Sequence, residues 1–157
     1  MIHSLNNLDN NLLDSYSNTI TNVVSSVADS VVHISVKKKN NNKKDPREFL
    51  EGAGSGFVIS SDGYIVTNNH VIENSNKIKV SFSSGKTTEA ELKGTDPSTD
   101  IAVIKVDFQG LKALSYADSD QLKAGQIAIA IGNPLGFQNT VTAGIIQKTN
   151  NIWFTPH

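Results

Sequence analysis

The chain has 157 residues, with 14 Lys and Arg against 15 Asp and Glu and a formal net charge of −1. A balance this even gives no reason to expect nucleic acid or an anionic membrane as partner. The absence of cysteine excludes disulfides, thiolate nucleophiles and thiolate zinc sites.

The length suits one ordinary domain, or one domain and part of another, and a compact chain of this size buries about 68–70% of its unfolded surface. The first 28 residues carry Leu5, Leu8, Leu12, Tyr16, Ile20, Val23 and Val27 at steps of three or four, which suits one helical face. Asparagines and β-branched residues weaken helix propensity, so helix is predicted for the second half of this segment. No lysine or arginine lies on its polar face, which argues against a membrane-surface helix. The segment has no basic leader, and its longest apolar runs are pairs such as Leu12-Leu13 and Val23-Val24, so no secretory leader is expected in it. No stretch approaches the roughly 20 apolar residues of a membrane span.

In 30–36, Val32, Ile34 and Val36 alternate with His33 and Ser35, which predicts a strand. The polar stretch 37–51, with Pro46 inside, reads as a solvated surface loop. Strands are then predicted at 56–60 and 64–67, joined by a Ser61-Asp62-Gly63 turn whose glycine tolerates positive φ. Further strands are predicted over 78–82, over 87–93 after a Ser-Ser-Gly-Lys turn, and over 101–106 after the loop Thr-Asp-Pro-Ser-Thr-Asp. That makes six strands before residue 107, a spacing suited to a closed barrel or sandwich. Two more are predicted at 126–131 and 140–146. Two strands alone do not make a stable layer, and their edges are an aggregation liability.

His70, in Thr-Asn-Asn-His-Val-Ile, ends a strand in a turn; a lone turn histidine is ordinarily structural. Asp100 changes its standing. It opens a very apolar strand, so its carboxylate needs a partner. An imidazole donating from Nδ1 supplies one and leaves Nε2 free as a base. Metal chemistry is not expected, because His3, His33, His70 and His157 are scattered without ligand spacing. Gly-Ala-Gly-Ser-Gly-Phe at 52–57 lacks the Lys-Ser/Thr of a phosphate loop, and no cofactor is expected. Ser55, within it, precedes the histidine and enters a strand; its glycines are better explained by close packing.

The blocks 54–72 (Gly-Ser-Gly-Phe through Asn-Asn-His-Val-Ile), 96–106, and 130–146 with Gly-Asn-Pro-Leu-Gly inside resemble the HtrA/DegP family of trypsin-like serine proteases. The resemblance covers about residues 20–146. It implies an all-β, chymotrypsin-like double β-barrel behind a short N-terminal helix, with the first six-stranded barrel complete and the second represented by its beginning. On this basis 1–28 is the helical segment, 29–107 the first barrel, 108–149 the start of the second and 150–157 an unrelated tail. The resemblance makes His70 the triad histidine and Asp100 the triad aspartate. It assigns no catalytic role to Gly132, Asn133 or Pro134. It also implies unfolded or extended polypeptides as substrates, trimeric assembly and an envelope location.

The nucleophile departs from the pattern. In the chymotrypsin order it follows the aspartate by roughly 90 residues, within a Gly-Asn-Ser-Gly-Gly segment in this family. No such segment occurs in these 157 residues. After Asp100 the serines are Ser115 and Ser119, and neither has flanking glycines. A histidine and an aspartate activate a serine without replacing it, so the 157 residues alone are expected to be inactive. The alternative is a non-catalytic β-barrel that binds unfolded segments in a chaperone-like way.

Overall fold

The computed structural model describes residues 7–39, 49–133 and 140–147, and within them the side chains from Leu12 onward except those of Lys39 and Phe49. It is mostly β, as expected. A helix, α1 (Asn7–Val27), runs through a short 3-10 turn (Ala28–Ser30) into the first strand. Six strands follow: β1 (Val31–Lys39), β2 (Phe49–Val58), β3 (Tyr64–Asn68), β4 (Ser75–Ser81), β5 (Thr87–Asp96) and β6 (Ile101–Val106). They close into a barrel in the order β1-β2-β3-β6-β5-β4, with antiparallel pairing throughout. A short helix, α2 (Asn69–Ile72), sits between β3 and β4, and a separate antiparallel pair, β7 (Ile127–Gly132) and β8 (Thr140–Ile145), forms the second sheet.

Period-two alternation makes the barrel close. Val32, Ile34 and Val36 of β1, Ile78 and Val80 of β4, and Ala102, Ile104 and Val106 of β6 point inward and are buried, with Val58, Ile65 and Phe82 completing the core. Each fully buried aliphatic side chain contributes about 1.5–3 kcal/mol of gross hydrophobic stabilisation, and the fully buried aliphatic residues lie in this barrel interior. Along β7 and β8, by contrast, Ile127, Val141 and Ile145 are exposed.

The Ser61-Asp62-Gly63 turn forms as expected. Gly63 has φ +104°, and a Cβ there would lie 2.3 Å from the Val106 carbonyl oxygen. Its own carbonyl accepts the Val106 N–H at 3.0 Å. The glycine therefore locks the β2–β3 hairpin onto the end of β6. Gly54 shows the close packing expected of its segment. A Cβ there would sit 2.6 Å from Val71 Cγ2, so the glycine makes room for α2.

Two expectations need correction. The stretch 37–51 is not all loop: Lys37, Lys38 and Lys39 pair with Glu51, Leu50 and Phe49 in a continuous β1–β2 ladder. Ladder bonds are made by backbone, so charged side chains do not end a strand where its edge is solvated. The helix spans Asn7–Val27, not only the second half of its segment. His70 lies where expected, in a turn just past a strand, and that turn is helical. The lysines and proline between 40 and 48, the segment 134–139, and the residues from 148 lie outside the described residues.

Candidate active site

β3 ends at Asn68 and β6 begins at Ile101, and these two residues are paired across the ladder. That register brings together two segments thirty positions apart in the chain. It places His70, two residues past β3, beside Asp100, one residue before β6. The Asn69 N–H donates to the Asp100 carbonyl at 3.1 Å, which pins the start of α2 to the start of β6.

Asp100 adopts φ +55°, a left-handed conformation that aspartate tolerates better than most residues. The turn before it is held by Asp96, whose Oδ1 accepts from the Ser98 N–H at 3.0 Å and whose Oδ2 accepts from Thr99 Oγ1 at 2.8 Å. Asp96 is thus the turn-capping aspartate of this loop, and the Asp100 carboxylate is free for other partners. It has three. The His70 N–H donates to Oδ1 at 2.9 Å; His70 Nδ1–H donates to Oδ2 at 2.7 Å; and Asn68 Nδ2 donates to Oδ2 at 3.1 Å. Because a carboxylate only accepts, the proton of a neutral His70 ring sits on Nδ1 and Nε2 is the free base.

These donors hold the Asp100 carboxyl below the ordinary carboxylate range. The His70 backbone N–H is the largest contributor and its ring N–H the second, against a smaller opposing effect of desolvation. The site is open: the His70 side chain is 69% exposed and that of Asp100 38%. Lys38, whose ammonium donates to the His70 carbonyl at 3.1 Å, adds a tie from β1.

Both residues expected from the sequence therefore meet. Asn68 was not anticipated. Its amide also reaches the Asp100 carbonyl at 3.3 Å, so it is bound to both the backbone and the side chain of the same residue. This explains why Asn68, at the N-cap of α2, makes no side-chain cap to its own helix. The only clue in the sequence was a second asparagine beside the histidine, and its use depends on the β3–β6 register. Substituting Asn68→Ala is expected to cost no more than about 1 kcal/mol, as one exposed hydrogen bond would, while weakening the hold on Asp100. Urea unfolding checks the first effect, and a rise in the NMR-titrated Asp100 pKa checks the second.

An apolar groove of about 610 Å³ adjoins the site, lined in part by Val23 and Val27 of α1, Val66 of β3, and Ile129 and Ile131 of β7, together with Asn68 and Asp100. Among the described residues no cluster of three or more His, Cys, Asp or Glu could hold a metal ion, and no helix is long and apolar enough to cross a membrane.

Residues 54–156 match the family model described as a trypsin-like peptidase domain. The chain is 50% identical over 103 residues to the putative serine protease HhoB of Synechocystis sp., covering 66% of this chain and 24% of that protein. It is 43% identical over 147 residues to the serine protease HTRA1A of Danio rerio, covering 93% and 30%. It is 56% identical over 94 residues to a probable periplasmic serine endoprotease, DegP-like, of Chlamydia pneumoniae, covering 60% and 19%. The chain thus spans less than a third of the length of each of these relatives. Among solved structures, the HtrA-type protease AlgW with a tripeptide superposes with a TM-score of 0.73 at 37% identity, covering 85% of this chain and 41% of that one. An AlgW variant with a decapeptide gives 0.76 at 34%, covering 85% and 46%.

Proposed function

This chain belongs to the trypsin-like peptidase family, in its HtrA/DegP branch, and from that premise we propose that it carries the acid–base half of a serine endopeptidase acting on unfolded or extended polypeptides. His70 is the general base and Asp100 its orienting carboxylate. The observation that carries the reading is the 2.7 Å bond between Nδ1 and Asp100 Oδ2. A serine hydroxyl presented to Nε2 gives up its proton to the ring as its oxygen adds to the scissile carbonyl carbon. Asp100 stabilises the imidazolium that results, and the same proton then passes to the departing amine. Residues 29–107 are read as the unit that holds this pair, and 108–149 as the start of the unit facing it.

The 157 residues contain no Gly-Asn-Ser-Gly-Gly segment. A triad lacking one member retains at most about 10³–10⁴ over water, and even that comes from the oxyanion hole and substrate binding. The purified 157-residue polypeptide is therefore expected to show no covalent labelling by a fluorophosphonate and no turnover of unfolded casein. Labelling at any serine would sink this reading of the isolated chain.

The apolar groove beside Asp100 favours, as a second reading, a non-catalytic binder of extended segments. Such a binder has no use for a histidine oriented by a carboxylate. Equal suppression of aggregation of an unfolded client by the parent chain and by a groove variant, Ile129→Asp, would remove this second reading.

A further inference from the structure

His33 on β1 and Ser55 on β2 lie directly opposite each other in the barrel ladder. Both are half-buried, and both reach the same residue, Asn133, which follows β7. His33 Nδ1 lies 2.9 Å from the Asn133 carbonyl oxygen, and the Asn133 N–H donates to Ser55 Oγ at 2.7 Å. A carbonyl oxygen accepts and cannot donate, so His33 Nδ1 carries the proton; protonation of Nε2 leaves this bond intact. One donor and one acceptor, set on neighbouring strands, thus satisfy both backbone groups of a single residue. The two side chains do for the Asn133 backbone what a neighbouring strand does along a ladder.

Asn133 is 6% exposed, so its backbone groups have no water to turn to if the grip is lost. The rest of the second sheet is loosely held. Every residue of β8 is exposed, and β7 touches the barrel at β1 and β2. We propose that His33 and Ser55 are positioning residues that seat the second sheet on the barrel by gripping the backbone of Asn133. The seating is a matter of this geometry. Its catalytic consequence rests on the reading above: with the His70–Asp100 pair on the barrel and β7 part of the opposing unit, the grip fixes the approach of whatever that unit presents to Nε2. Ser55 is thereby a scaffold hydroxyl and not a nucleophile.

The test is amide hydrogen exchange by NMR on the whole 157-residue chain. Ser55→Ala and His33→Leu are each expected to speed exchange at Asn133 by about tenfold, the scale of one lost buried hydrogen bond. Ser55→Thr keeps a hydroxyl, and His33→Asn keeps an N–H donor near the place of Nδ1, so both are expected to stay within about twofold of the parent. Ile34 and Ile104, in the barrel core, are expected to keep their protection in all four variants. Unchanged exchange at Asn133 in Ser55→Ala and His33→Leu, equal acceleration in the barrel, or failure of the two conservative variants to restore protection would each overturn the proposal. Asp100→Asn is expected to leave Asn133 exchange alone, so a failed grip and a failed His70–Asp100 pair give different results.

Discussion

Truncating Ile104 to alanine is expected to lower the unfolding free energy by about 2–5 kcal/mol, the range for deleting a buried isoleucine and leaving a cavity. Ile104 is 0% exposed, faces Ile65 across the β3–β6 ladder, and belongs to the hydrophobic core formed among the described residues. A domain of this size is stable by only about 5–15 kcal/mol, so the change removes a large fraction of the total. Ile101, on the same strand, is 46% exposed and points to the outer face. Ile101→Ala is expected to cost no more than about 1 kcal/mol. Urea unfolding followed by tryptophan-independent far-UV circular dichroism measures both, with an unchanged m-value showing that the same surface is exposed. Comparable losses at the two positions would mean that the barrel interior is not the source of stability. The same core fixes the functional geometry, since β6 carries Asp100 at its entrance and β3 carries Asn68 at its exit.

The core was legible because its signal is local. Val32-Ile34-Val36 and Ile78-Val80-Phe82 alternate cleanly, and Asp62-Gly63 marks its own turn. The His70–Asp100 pair was legible for a related reason: one residue closes a strand and the other opens one, and strand ends converge in a closed barrel. What stayed hidden depends on register or on backbone. The β1–β2 ladder runs on through three lysines, because its bonds ignore side-chain charge. The early part of α1 is asparagine-rich, and its propensity understates the helix that continues into the barrel through Val27. Asn68 becomes a partner of Asp100 only once Asn68 and Ile101 are known to be opposite each other. The grip on Asn133 joins residues 78 and 100 positions apart through a peptide group, which no side-chain pattern at Asn133 records.

Replacing Asp100 with asparagine is expected to reverse the tautomer of His70. The carboxylate takes three hydrogen bonds: the His70 N–H on Oδ1, and His70 Nδ1–H with Asn68 Nδ2 on Oδ2. Asparagine has one acceptor oxygen and one donor nitrogen. If its oxygen keeps the His70 backbone N–H, its amide hydrogens face the ring, and the ring must then accept at Nδ1 and carry its proton on Nε2. The nitrogen that should take a proton is then already protonated, which in a complete trypsin-type triad lowers kcat by about 10⁴. In the 157-residue chain the change is read directly from the two ring ¹⁵N shifts of His70 at a pH where it is neutral. An unchanged Nδ1–H tautomer would disprove the orienting role of Asp100. Acid titration gives a second reading. Because the folded chain holds the Asp100 carboxyl below its ordinary value of about 3.9, the unfolded chain binds its proton first as pH falls. The contribution of Asp100 to stability is therefore whole above about pH 4 and lost as pH drops through the lower folded value. Asp100→Asn has no such group to titrate, so its stability is expected to fall less steeply than that of the parent below about pH 4. Asp62 and Asp96, also held low by their hydrogen-bond donors, keep the remaining part of the acid limb in both proteins.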